Sequence, residues 1–103
     1  MTWGDWGKKL SLSEMQVLIE KSFNYGVSTF DHADIYGGYT TEADFGNAFK
    51  TCSIDRENVQ FISKCGIQMP CEARPLNVKY YDYSSSHIRL SVENSLRNLK
   101  TEY

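Results

Sequence analysis

The chain has 103 residues, 41% hydrophobic and 23% charged, with a net charge of −2. That is about one ordinary domain of globular composition, and with no basic run it offers no electrostatic footprint for nucleic acid. No stretch approaches the roughly 18 apolar residues of a membrane span, and the opening MTWGDWGKKL lacks the apolar centre of a signal peptide.

Trp3 to Lys9 is glycine-rich and aromatic and reads as a loop. Ser11-Leu12-Ser13-Glu14 fits a capping box, and Met15, Leu18, Ile19 and Phe23 then share one helical face up to a stop at Gly26. Val27 to Asp31 is β-branched and aromatic, which predicts a strand. Thr40 or Thr41 is placed to cap a second helix running to about Lys50, with Phe45, Ala48 and Phe49 as its apolar side. After a polar connection, Val59 to Cys65 forms the next strand. Gly66 to Tyr83 reads as a long irregular segment, of a length that in a compact domain suggests a lid or similar function. Ser84 to Ser86 open a third helix with Ile88, Val92, Leu96 and Leu99 at helical spacing. Strands alternating with helices argue for parallel pairing through right-handed crossovers in an α/β fold.

In such folds chemistry gathers at the C-terminal ends of the strands. Asp31 and Lys64 fall at two such ends, with Tyr36 on the loop just beyond the first. Period-two alternation puts Val27, Thr29 and Asp31 on one side with Gln60, Ile62 and Lys64, leaving Phe30 and Phe61 for the helices. A lysine ammonium beside a phenol favours the phenolate, an aspartate holds the lysine charged, and a phenol tuned in this way can serve as a general acid for carbonyl reduction. Buried Asp–Lys pairs and loop tyrosines also occur simply as structure.

The segment FDHADIYGGYTTEADFG, with ISKCG downstream, resembles the signature of the aldo-keto reductase superfamily. TWGDWGKKLS, HADIYGGY and HIRLSVENSLRNLKTEY resemble a bacterial branch of oxidoreductases within it. The resemblance implies a (β/α)8 TIM barrel that binds NADP(H) without a Rossmann loop, and no G-x-G-x-x-G occurs here. It implies that Tyr36 is the proton donor, that Lys64 tunes it, and that Asp31 pairs with Lys64 and touches the nicotinamide ribose. It places Trp3 in the first strand–helix loop, against cofactor and substrate. The family's histidine, at the end of the fourth strand, would follow Tyr103. Neither His32, facing the wrong side of its strand, nor His87, at a helix start, replaces it.

Both ends of the chain look cut, so residues 1–103 are expected to be the N-terminal part of the barrel domain, about three of its eight β/α units. The expected function is NADP(H)-dependent reduction of a small carbonyl compound, with the 103-residue chain inactive by itself. A non-catalytic cofactor-binding subunit of the same fold and a truncated inactive product are the alternatives. Asp31, His32 and Asp34 lie on alternating faces and make no shared metal site. Cys65 reads as a small buried thiol and the Tyr80–Tyr83 cluster as a loop anchor. Glu42 reads as a helix N-terminal charge favoured by the dipole, and the resemblance implies that the glutamate here is part of the family signature. Cys52, Cys65 and Cys71 match no disulfide or zinc spacing, which suits reduced thiols in a cytoplasmic protein without nucleic-acid or membrane partners.

Overall fold

A computed structural model describes residues 3–72 and 74–103, and its first helix begins where the capping box places it. Ser11 caps α1 (Leu12–Asn24): its Oγ accepts the Glu14 N–H at 3.3 Å, and its own N–H donates to Glu14 Oε2 at 2.9 Å. Met15 and Ile19 are buried, while Leu18 and Phe23 are half-buried. Gly26 follows the helix with φ +88°, a conformation that a residue without Cβ adopts freely.

Strands β1 (Thr29–Asp31) and β2 (Gln60–Ile62) pair in parallel, with Thr29 opposite Gln60 and Asp31 opposite Ile62. Both are shorter than the apolar runs suggested, yet pairing continues beyond them. The Gln60 N–H donates to Ser28 O at 2.8 Å, His32 N–H to Ile62 O at 2.7 Å, and Asp34 N–H to Lys64 O at 2.9 Å. The expected alternation holds: Thr29, Asp31, Gln60 and Ile62 are exposed on one face, while Phe30 and Phe61 turn toward the helices. Thr29 Oγ1 donates to Gln60 Oε1 at 3.1 Å across that open face.

Helix α2 (Thr41–Phe49) occupies the centre of the core. Phe45 is wholly buried, 5.1 Å from the Phe30 ring and 5.3 Å from the Phe61 ring, so one side chain fastens both strands to the helix layer. Full burial of a side chain of this size is worth roughly 1.5–3 kcal/mol. Thr40 occupies the cap position, but its hydroxyl donates to Gly37 O at 3.0 Å and makes no cap bond, which corrects the capping expected of it. On the other side α2 meets α3 (Ser85–Leu99) at Gly46, where any Cβ would stand only 2.8 Å from Leu99 Cα. The apolar row expected along α3 is buried only at its end: Leu99 is buried, whereas Ile88 and Val92 are exposed.

The segment between Gly66 and Tyr83 is not irregular throughout. It holds an antiparallel pair, β3 (Ile67–Gln68) with β4 (Tyr80–Tyr81), and a Cys71–Arg74 bridge. Strands of two residues are too short to display alternation, so no periodic signal announces them. Among the described residues no helix is long and apolar enough to cross a membrane.

His32 lies wholly inside the helix layer, its ring centroid 4.4 Å from Phe45, and neither ring nitrogen has a hydrogen-bond partner. Burial lowers its pKa from the ordinary 6.5 to about 4, against the opposing pull of the Glu42 and Asp31 charges. The unfolded chain therefore binds this proton more readily than the folded one. The resulting contribution to stability is complete above pH 6.5 and is lost as pH falls toward about 4. Chemical denaturation across that interval is expected to show a loss of ~3 kcal/mol from this group. A His32→Leu variant should lack that component of the slope; identical slopes in both proteins would contradict the assignment.

Candidate active site

Strand pairing brings the ends of β1 and β2 side by side, and there the Lys64 ammonium finds three oxygen acceptors. Its Nζ lies 2.7 Å from both Asp31 Oδ1 and Asp31 Oδ2 and 2.6 Å from the His32 carbonyl oxygen. An ammonium has three N–H donors, so the set is fully engaged. Both side chains are at least half exposed, 50% for Lys64 and 59% for Asp31, and an ion pair this open adds little to stability. Desolvation pulls the Lys64 pKa down, but the hydrogen bond and charge of Asp31, with the Tyr36 phenol beside it, outweigh that and leave it raised. Lys64 is thus a fixed cation at neutral pH.

Tyr36 stands over this pair on the turn that leads from β1 to α2, with Lys64 Nζ 5.4 Å from the centre of its ring. The turn is tight: Tyr36 N–H donates to Ala33 O at 3.1 Å and Gly38 N–H to Ile35 O at 3.1 Å. Gly37 and Gly38 have φ of +63° and +67°, and a Cβ on Gly37 would collide with Thr41 Oγ1 at 2.5 Å. Tyr39 shares the left-handed conformation and is held by its hydroxyl, which donates to Ile67 O at 3.3 Å and accepts from Met69 N–H at 2.9 Å. The Arg74 guanidinium lies 4.0 Å over the Tyr39 ring and completes the tie between this turn and the following hairpin.

Beside Tyr36 and Lys64 opens a cleft of about 150 Å³, lined also by Ala33, Asp34, Ile35, Cys65 and Ile67. Partial burial raises the Asp34 pKa, opposed by its hydrogen bond from the Ile35 backbone and reinforced by the Glu42 charge. Cys65 is a free, half-buried thiol on the wall of this cleft. Asp31 is exposed while the adjacent His32 is buried, so the two side chains leave the strand on opposite faces.

Asp31, Lys64 and Tyr36 are therefore neighbours in space. Trp3 is half-buried and packs against the hydrophobic core. The tryptophan that meets Tyr36 is Trp6, edge-on with ring centroids 6.2 Å apart. Trp6 was not among the expected residues, because a loop of two tryptophans and two glycines has no periodicity to show which ring turns toward the site. Glu42 lies in the first turn of α2, as expected, and it is also buried: it is 2% exposed, accepting from Ser63 Oγ at 2.5 Å and from Asn98 Nδ2 at 3.2 Å. One sequence signal was available: Ser63 is a hydroxyl at a helix-facing position of its strand, where a buried acceptor is required.

A model of the Aldo/keto reductase family matches residues 1–103. The chain is 49% identical over 92 residues to the Bacillus subtilis (strain 168) uncharacterized oxidoreductase YcsN, covering 88% of this chain and 31% of that protein. It is 44% identical over 100 residues to the Escherichia coli (strain K12) oxidoreductase YdhF, covering 96% and 32%. Among solved structures it resembles the glycerol dehydrogenase of Gluconobacter oxydans, with a TM-score of 0.68 at 26% identity over 85% of this chain and 26% of that one. The chain thus spans about a third of the length of the curated oxidoreductases it matches. Whole-chain agreement with the family, on a fold that sets Asp31, Lys64 and Tyr36 together, makes this chain a member of the aldo/keto reductase family.

Proposed function

We propose that this chain carries the proton-donating centre of an NADP(H)-dependent carbonyl reductase and forms the first three β/α units of its (β/α)8 barrel. The observation that carries this reading is the Lys64 ammonium, held at 2.7 Å by both Asp31 oxygens and poised 5.4 Å from the Tyr36 ring. In reduction, the Tyr36 hydroxyl gives its proton to the carbonyl oxygen of a small aldehyde or ketone as negative charge develops there. The fixed Lys64 cation favours the phenolate left behind, and Asp31 keeps that cation in place. A phenol in reach of a fixed positive charge is suited to acid catalysis, which a purely cofactor-binding subunit does not need.

The residues present fit a ribose hydroxyl. The Asp31 carboxylate is 59% exposed, and it retains acceptor capacity beyond its contacts with Lys64. Asp31 would hold the nicotinamide ribose, and Trp3 or its neighbour Trp6 would border the same opening. Bound NADP(H) supplies the hydride that this chain's side chains cannot. Ile35 and Ile67 give the cleft beside Tyr36 an apolar wall against which the substituent of the carbonyl compound can lie. Three free cysteines suit a reducing cytoplasm.

The decisive variant is Tyr36→Phe in a full-length protein carrying this chain. Loss of a positioned general acid is expected to lower kcat by about 10²–10⁴-fold, with NADPH affinity held within about twofold. Turnover of the phenylalanine variant at the unmodified rate would overturn the proton-donor role.

A further inference from the structure

We infer that Glu42 is a positioning residue for Lys64, acting through Ser63; the inference rests on the reductase reading above. Ser63 and Lys64 are consecutive on the β2 strand end, so their side chains leave on opposite faces. Lys64 goes to the open face and Ser63 into the helix layer, where its hydroxyl donates to Glu42 Oε1 at 2.5 Å. Pinning Ser63 from below thereby sets the direction in which Lys64 points above.

Helix α2 holds the partner strand at the same level. Glu42 and Phe45 are three residues apart and share a helix face. Phe45 packs 4.4 Å from the His32 ring, and the His32 carbonyl is the third acceptor of the Lys64 ammonium. One turn of α2 thus grips β2 through a hydrogen bond and β1 through an aromatic contact, and the two grips converge on the same lysine.

The chemistry of the residue supports more than a packing role. Glu42 is 2% exposed, and both its hydrogen-bond partners are neutral. Burying a carboxylate without a cation is costly, and a fold with no need of it would do as well with an apolar residue. Ser63 and Asn98 both donate, one to each oxygen, and only a carboxylate offers two acceptors in that fork. A glutamine would set its own NH2 against one of the two donors. The carboxylate therefore fixes the orientation of the Ser63 hydroxyl, which a two-way amide would not.

The test is made in a full-length protein carrying this chain, with the variants Glu42→Gln and Ser63→Ala. Each is expected to lower kcat about tenfold while the KM of the carbonyl substrate and the NADPH Kd stay within about twofold, because the lysine is misaimed but the binding surfaces are intact. Phe49→Leu, a core truncation at the far end of α2, serves as the structural comparison. It should lower Tm without lowering kcat. Crystal structures of the two site variants should show Lys64 Nζ displaced from the His32 carbonyl.

Full kcat in both Glu42→Gln and Ser63→Ala overturns the positioning role. So does an equal loss of kcat in Phe49→Leu, which would mark the effect as general loosening. If Glu42→Gln does not fold, Ser63→Ala decides alone, since it removes one hydroxyl and leaves the carboxylate its Asn98 partner. Failure of the underlying reading looks different: Tyr36→Phe would then keep full turnover, or the unmodified enzyme would show none.

Discussion

The Lys64 ammonium has three N–H groups and finds three protein acceptors where the ends of β1 and β2 meet. Asp31 supplies two oxygens and the His32 backbone the third, all from the strand neighbouring the one that carries Lys64. The parallel register makes this possible. Asp31 lies opposite Ile62, and Lys64, two residues further along the same face, reaches back across the pair. The interaction is too exposed to hold the fold together. Its consequence is geometric: it joins two strand ends and leaves a cation under Tyr36.

Stability comes from the opposite face. Phe30, Phe45, Phe49 and Phe61 form a continuous aromatic cluster, in which Phe61 meets Phe49 at 5.0 Å and Phe45 at 5.3 Å, edge to face in both cases. Arg56 closes the edge of this layer, its guanidinium 4.1 Å over the Phe61 ring and its Nη1 donating to Val59 O at 2.8 Å. Cys52, also at the margin, has its thiol pushed up to about 11, by burial first and then by the Glu20 charge, which makes it an unreactive packing group. The apolar layer and the polar strand ends are separated by a single change of face along each strand. Substitutions in the aromatic layer should therefore act on folding, and substitutions on the open face on chemistry.

Much of this arrangement was legible in the residues. The Ser11–Glu14 capping box, the parallel order and the alternation that puts Asp31 and Lys64 together with Phe30 and Phe61 behind them all follow from local rules that the structure obeys. What escaped the sequence depends on long-range partners. Glu42 reads as a helix N-terminal charge, and that it is also buried follows only once Ser63 and Asn98, far away in the chain, are folded against it. The Ile67–Gln68 and Tyr80–Tyr81 pair is too short for periodicity, and Thr40 makes no cap bond because its own backbone is helical where an N-cap is usually extended. His32 was correctly turned away from the site by strand alternation, but that its carbonyl serves Lys64 is a backbone fact that no side-chain pattern carries.

The central proposal is that the fixed positive charge at position 64 supports proton donation by the neighbouring phenol. The most direct measurement is the single-turnover rate of carbonyl reduction by a full-length Lys64→Met variant with saturating NADPH, since methionine keeps the unbranched shape of the side chain up to its fourth atom and removes the charged, hydrogen-bonding tip. A fall of about 10²-fold or more in the chemical step, with cofactor still bound, is the predicted result. A chemical step unchanged by loss of the ammonium would contradict the account and leave the Asp31–Lys64 pair as surface structure.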